Sequence, residues 1–221
     1  MSKVKLINGD CIVELPKLSD KSVELVVTDI PYAEVNRKSN GLRSLDKGGA
    51  DIETFRLSEL LPQLLRVCKG SFYIFCGINQ ISEIRSFFSE NGLSTRLLVW
   101  EKTNPSPMNG DSIWLSGVEF CVYAKFPHAT YNGHCKNCVL KYPSGRNKIH
   151  PTEKNIKLFD EIITTSSNEG DWVLDCCLGS GTTAISCLKN NRNCIGIELN
   201  NDYFQIARDR VIAEEANQTL F

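Results

Sequence analysis

The sequence predicts one α/β domain built around a largely parallel sheet. Short apolar runs alternate with helical patterns, which is typical of strand–helix–strand crossover units. A length of 221 residues fits one domain with its own core. Seven runs rich in Val, Ile, Leu, Phe and Tyr are predicted to be strands. They are residues 3–8, 23–28, 71–76, 95–101, 118–125, 172–176 and 193–198.

Helices are predicted where apolar residues recur every three or four positions. A helical stretch is also expected from Ala184 to Lys189, directly after the glycine turn. The last helix should begin near Asp202, with a fraying tail after Ala216. The apolar faces of three helices are Ile81, Ile84, Phe87 and Phe88; Ile156, Phe159, Ile162 and Ile163; and Tyr203, Ile206, Ala207 and Val211.

The composition is that of a soluble globular protein, with 42% hydrophobic and 23% charged residues. No apolar window has the length of a membrane helix, and the N-terminus lacks a signal-peptide pattern, so we expect a cytoplasmic protein without a membrane partner. Most of the ten cysteines lie in apolar runs and are expected to be reduced core residues. His134, Cys135 and Cys138 have no matching second pair, so no metal site is predicted.

A glycine-rich turn predicts a nucleotide-like cofactor site. It joins the strand ending at Leu174 to a helical stretch, so the backbone can approach a ligand closely and the helix N-terminus can donate N–H groups. Glu198 ends the next strand, about twenty residues on, where a carboxylate can accept from ribose hydroxyls. These features alone do not separate S-adenosylmethionine (AdoMet) from NAD. The turn comprises Asp175, Cys176, Cys177, Leu178, Gly179, Ser180, Gly181, Thr182 and Thr183.

A second candidate site follows the strand that ends near Thr28. Asp29 can accept from one N–H of a planar amine, the Ile30 carbonyl can accept from the other, and Tyr32 can stack on the ring. Pro31 holds Ile30 extended. Two fixed acceptors would aim the lone pair of the nitrogen at an electrophile, so catalysis would depend on positioning and electrostatics.

The two segments together resemble one enzyme family. Residues 29–32 resemble the catalytic motif Asp/Asn/Ser-Pro-Pro-Tyr/Phe of the DNA amino-methyltransferases, and residues 175–183 resemble their cofactor motif Asp-Pro-Phe-x-Gly-Ser-Gly-Thr-Thr. The catalytic motif comes first, which matches the circularly permuted β-group of N6-adenine and N4-cytosine enzymes. The resemblance implies a Rossmann-like AdoMet-dependent methyltransferase fold, with seven strands, one of them antiparallel, and helices on both faces.

Further matches extend the resemblance along the chain. Asp10 and Cys11 match the end of the family's opening strand, where the aspartate meets the adenine of AdoMet; residues 72–77 match the next strand; and residues 150–154 match its His-Pro-Thr-Gln-Lys-Pro helix start. The implied catalytic residues are Asp29, Ile30, Pro31 and Tyr32. The implied cofactor-binding residues are Asp10, Cys11, Asp29, His150, Pro151, Thr152, Asp175, Cys177, Gly179, Ser180, Gly181, Thr182, Thr183 and Glu198.

Three departures from the family pattern touch this site. Ile30 replaces the first proline, Cys177 replaces the phenylalanine that would lie against AdoMet, and Asn155 replaces the last proline of the helix start. None removes a group that carries the chemistry.

The resulting expectation is a site-specific DNA methyltransferase that uses AdoMet and modifies adenine N6, because aspartate at the first motif position is the usual adenine form. N4-cytosine is the alternative target. A non-catalytic binding protein of the same fold and an NAD-dependent oxidoreductase are the other hypotheses. DNA is the expected partner, while a homodimer and a cognate restriction nuclease stay open. Loops at about 33–53, 102–117 and 126–149 are expected to face DNA and to be mobile without it.

Overall fold

The computed structural model describes residues 2–32, 55–107, 110–145 and 154–219. Within these residues, eight strands form one sheet in the order β1-β8-β7-β2-β3-β5-β4-β6. The strands are β1 Val4–Asn8, β2 Val23–Asp29, β3 Cys68–Cys76, β4 Ser94–Lys102, β5 Val118–Lys125, β6 Val139–Tyr142, β7 Trp172–Asp175 and β8 Asn193–Glu198.

All seven predicted strands are confirmed, but the count of seven is wrong. The additional strand β6 has only four residues, too few to show an alternating pattern, and it pairs parallel with β4 at the edge of the sheet. The interval 126–149, expected to be a loop, therefore contains a strand. The single antiparallel strand is confirmed: β5 runs opposite to its neighbours β3 and β4, and the other five strand pairs are parallel.

Helices cover both faces of the sheet. The described helices are α1 Cys11–Glu14, α2 Leu57–Val67, α3 Ile81–Glu90, α4 Ile156–Ser166, α5 Thr182–Lys189 and α6 Asn201–Thr219. Helices α2 and α3 pack in one apolar core, whereas α4, α5 and α6 contribute to the other. Helix α6 continues beyond Ala216, where fraying was expected. None of the helices in the described ranges is both long and apolar enough to cross a membrane.

The sheet topology brings the candidate residues to one edge. Strands β1, β8, β7 and β2 are consecutive neighbours and all parallel, so their carboxyl ends open on the same side. The residues at those ends are, in spatial order, those around Asp10, Glu198, Asp175 and Asp29. The carboxyl edge of a parallel sheet is where ligands of such folds bind.

Candidate active site

Asp29 ends β2 with its carboxylate already engaged. Oδ1 accepts a hydrogen bond from the Tyr32 hydroxyl at 2.9 Å, and Oδ2 lies 3.0 Å from Nζ of Lys154. The next residue, Ile30, stays attached to the sheet because its N–H donates to the Phe75 carbonyl at 3.1 Å. The carboxylate is therefore held at the sheet edge by one hydroxyl and one cation.

The turn through Pro31 is braced by a glutamine that sequence reasoning missed. The side chain of Gln80 is buried; its Nε2 donates to the Pro31 carbonyl at 3.1 Å and its Oε1 accepts from Gly77 N–H at 2.9 Å. The two bonds tie the candidate segment 29–32 to the end of β3. A lone polar residue at the start of a helix gives no sequence signal for such a role.

Lys154 is the second residue that sequence reasoning missed, since it entered only as the end of the segment 150–154. Its Nζ donates to Glu119 and lies 3.3 Å from the Tyr32 hydroxyl. The ammonium also lies 5.4 Å from the ring centre of Phe75 and 5.8 Å from that of Trp100, within cation–π range. It thus joins Asp29 to a second carboxylate on β5.

The charges in this cluster set the ionisation of its members. Burial raises the pKa of the Asp29 carboxyl above its ordinary value, and the positive charge of Lys154 opposes that rise. Burial would also raise the pKa of Glu119, but Lys154 and Lys102 overcome it and bring that pKa to about 2. Burial disfavours the Lys154 ammonium, yet the surrounding negative groups raise its pKa well above the ordinary value. Lys154 therefore stays charged beside Asp29.

The predicted cofactor turn follows β7 and has the geometry of a cradle. Gly179 has φ +56° and Gly181 has φ +88°, both in the left-handed region that favours glycine. A Cβ at Gly179 would meet no atom within 4 Å, so the turn borders open space. The Glu198 carboxylate accepts from the Gly179 N–H at 2.7 Å through Oε2 and from the Asn200 N–H at 2.8 Å through Oε1. Each oxygen keeps a lone pair for a ligand hydroxyl.

Other side chains of the predicted cofactor set hold the turn from inside. The buried Asp175 carboxylate accepts from the Cys177 N–H at 3.1 Å and from the Thr183 hydroxyl, and burial raises its pKa to about 7. The Ser180 carbonyl and Oγ accept from Nη1 of Arg210, at 2.7 and 3.0 Å. The side chain of Thr182 is buried as well. These groups fix the shape of the turn, which borders open space at Gly179.

The remaining predicted residues divide into two groups. Asp10 caps α1, with Oδ1 accepting from the Ile12 N–H at 2.8 Å, and the buried Cys11 follows it at the same sheet edge. His150, Pro151 and Thr152 lie outside the described residues, as does the loop 33–53. Their contacts with a cofactor or with DNA stay predictions.

Comparisons with known proteins agree with this geometry. Residues 114–209 match the N6_N4_Mtase family, described as DNA methylase. The type II methyltransferase M2.DpnII of Streptococcus pneumoniae is 25% identical over 244 residues, which cover 96% of this chain and 91% of that protein. M.HpaI of Haemophilus parainfluenzae is 29% identical over 237 residues, covering 95% of this chain and 74% of that protein.

Solved structures show the same fold. The M1.HpyAVI–SAM complex superposes with a TM-score of 0.73 at 28% identity, covering 94% of this chain and 99% of that one. The cytosine-N4-specific PvuII DNA methyltransferase has a TM-score of 0.72 over 95% of this chain and 86% of its own, at 17% identity, so its likeness is one of fold alone.

Proposed function

Since this chain belongs to the N6/N4 family of AdoMet-dependent DNA methyltransferases, we propose that it transfers the methyl group to N6 of adenine. The observation that carries the proposal is the shared sheet edge: the Asp29 carboxylate ends β2, and the open turn at Gly179 follows the adjacent strand β7. An acceptor for an amine thus lies beside a cradle for a nucleotide-like cofactor. Aspartate at position 29 supports adenine over cytosine through the family resemblance.

The residues of this chain orient the target amine. Asp29 accepts one N–H and the Ile30 carbonyl accepts the other, while Tyr32 stacks on the base. The Tyr32 hydroxyl occupies Asp29 Oδ1 at 2.9 Å, so the entering amine replaces or shares that bond. Both acceptors fix the nitrogen lone pair in one direction, which lowers the entropic part of the barrier. The amine becomes acidic as it is methylated, and Asp29 Oδ1 is placed to take its proton.

The cofactor turn fits the group that the family uses. AdoMet supplies an electrophilic methyl group when it is bound. The open space beside Gly179 leaves room for the chain of a ligand, and Glu198 offers its free lone pairs to ribose hydroxyls. Asp10 and the residues of segment 150–152 are proposed to complete the site.

Lys154 is proposed to position Asp29 without touching the base. Its ammonium lies 3.0 Å from Oδ2, whereas the target amine is assigned to Oδ1. It stabilises the carboxylate as an ion and leaves one oxygen for the substrate. Glu119 in turn holds the ammonium, and Lys102 lies 2.7 Å from Glu119.

Contact with DNA is assigned to the loop between β4 and β5. Its base is anchored, since Lys102 N–H donates to the Gly117 carbonyl at 2.8 Å. Its apolar tip projects into solvent: Trp114 is 96% exposed and Ile113 is 67% exposed. A base must leave the stack to reach Asp29, and apolar side chains can fill or wedge open such a gap. Trp114 is proposed to do so here.

The test is methyl transfer from labelled AdoMet to mixed-sequence DNA, followed by digestion to nucleosides. We expect label in N6-methyladenine. N4-methylcytosine as the sole product would overturn the adenine assignment and leave the family assignment in place. AdoMet binding with no incorporation into any DNA would favour the non-catalytic hypothesis instead.

A further inference from the structure

Three thiols meet beside the candidate cofactor turn. Cys11 opens α1 after β1, and Cys176 and Cys177 follow β7, with β8 lying between these two strands in the sheet. Their sulfur atoms all lie within 4.8 Å of one another. Residues that are far apart in the sequence thus form one cluster.

The spacing of the sulfurs suits coordination of a metal ion. Four-coordinate zinc bound at about 2.3 Å holds its sulfur ligands about 3.8 Å apart, so closing the cluster requires movements of about 1 Å at most.

The ligand atoms select the class of cation. Soft thiolates favour Zn²⁺ and Cd²⁺, whereas Mg²⁺ requires oxygen ligands and is disfavoured. Cys11 and Cys176 are buried, and Cys177 alone of the three is partly exposed, so entry is from its side. Three protein ligands leave the fourth tetrahedral position open toward that side for a water molecule.

We propose that Cys11, Cys176 and Cys177 bind one thiophilic divalent cation of the zinc class. Cys177 lies within the turn that runs from Asp175 to Gly179, where its backbone N–H bonds to Asp175. Drawing its sulfur onto a metal displaces this turn from the position that AdoMet requires. The cation and AdoMet therefore weaken each other's binding by the same factor. This last step rests on the proposed cofactor site, whereas cation binding itself does not.

The test is a titration of the reduced, metal-free protein with Cd²⁺, followed by the ultraviolet absorption of thiolate-to-cadmium charge transfer. The parent carries Cys135→Ser and Cys138→Ser, which remove the exposed thiols outside the cluster. We expect one cation per chain, and we expect Cys11→Ser, Cys176→Ser and Cys177→Ser each to weaken binding about tenfold or more. Cys187→Ala, which removes a buried thiol from the opposite core, should leave the affinity unchanged. Mg²⁺ should not compete.

Thermal unfolding of each metal-free variant shows whether it is folded, and Cys177→Ser, at the least buried position, is the decisive variant if another fails to fold. Cadmium binding that survives in the folded Cys177→Ser variant would overturn the site. So would the absence of cadmium binding in a parent that still binds AdoMet, and in that case the proposed function stands. Cadmium binding by a protein that does not bind AdoMet would support the metal site and refute the cofactor assignment. If the protein binds both cadmium and AdoMet, an AdoMet affinity that Zn²⁺ leaves unchanged would overturn the proposed antagonism between cation and cofactor.

Discussion

At the scale of single residues, the proposed function depends on how the Asp29 carboxylate is held and on which side chain replaces it. Asp29→Ala removes the acceptor for the target amine, so kcat should fall about a hundredfold or more, the loss typical of removing one preorganised electrostatic partner. Asp29→Asn keeps one acceptor oxygen and should retain more activity than Ala. Single-turnover methyl transfer with parallel AdoMet binding checks this, since the cofactor should bind nearly as well to both variants. Wild-type turnover in Asp29→Ala would refute the assignment.

Lys154 is expected to control how the activity depends on pH. The pKa of Asp29 is raised by burial, and Lys154 opposes that rise, so activity that needs the ionised carboxylate is lost as the pH falls through this pKa. Lys154→Met removes the opposing charge, raises the pKa further and should move the acid limb of the kcat profile to higher pH. Lys154→Arg keeps the positive charge, so the acid limb of its kcat profile should lie close to the wild-type pH. A merely structural lysine would lower kcat equally at every pH.

At the scale of elements, the glycine turn before α5 makes the sharpest prediction. Gly179→Leu places a side chain in the open space of the cradle and should weaken AdoMet binding at least tenfold, about 1.4 kcal/mol. Gly92→Leu is the matched control, because Gly92 also has a positive φ of +80° and open surroundings but lies in the α3–β4 turn. Both variants should lose similar thermal stability. Equal AdoMet affinity in the two would show that the turn is not the site.

The elements also show where sequence reasoning succeeds and fails. Strands such as β2 and β3 were predictable because strands that are buried on both faces of a sheet are continuous apolar runs. Strand β6 was not, since four residues with polar Lys141 carry no pattern and pair with β4 only through the tertiary fold. Asp29, Asp175 and Glu198 could be named as candidates because each stands at the end of a strand-like run. Lys154 and Gln80 were found only by proximity, because nothing local links them to residue 29.

For the whole molecule, the sheet order explains why motifs dispersed from Asp10 to Glu198 lie along one edge of the sheet. The four carboxyl ends of β1, β8, β7 and β2 lie side by side, although β1 and β2 open the chain and β7 and β8 lie near its end. A permuted order of motifs therefore leaves the site intact. What the sequence could not supply is the orientation of each side chain at that edge, as the inward-facing Asp175 shows.

DNA recognition depends on the molecule as a whole. The stretch from Phe126 to Ile149 is too short to fold as a separate domain and already contributes β6 to the sheet, so groove contact must come from loops around the site. Recognition should therefore be short, weakly discriminating or shared with another subunit. A long, strictly read sequence bound by a monomer would contradict this.

Within those loops, Trp114→Ala should weaken DNA binding by about 1–3 kcal/mol, the contribution of one aromatic stacking contact. Ile212→Ala is the matched control: Ile212 is also exposed, but it lies eleven residues into α6, about 16 Å along a helix that leaves the site edge. Fluorescence anisotropy measures the affinity for an intact duplex and for a duplex that carries an abasic site. The abasic site already has a gap in the base stack, so less binding energy depends on a residue that opens one. If Trp114 wedges the base stack open, the variant should lose more affinity for the intact duplex than for the abasic duplex. Equal losses on both duplexes would instead mark Trp114 as a general contact with the DNA surface.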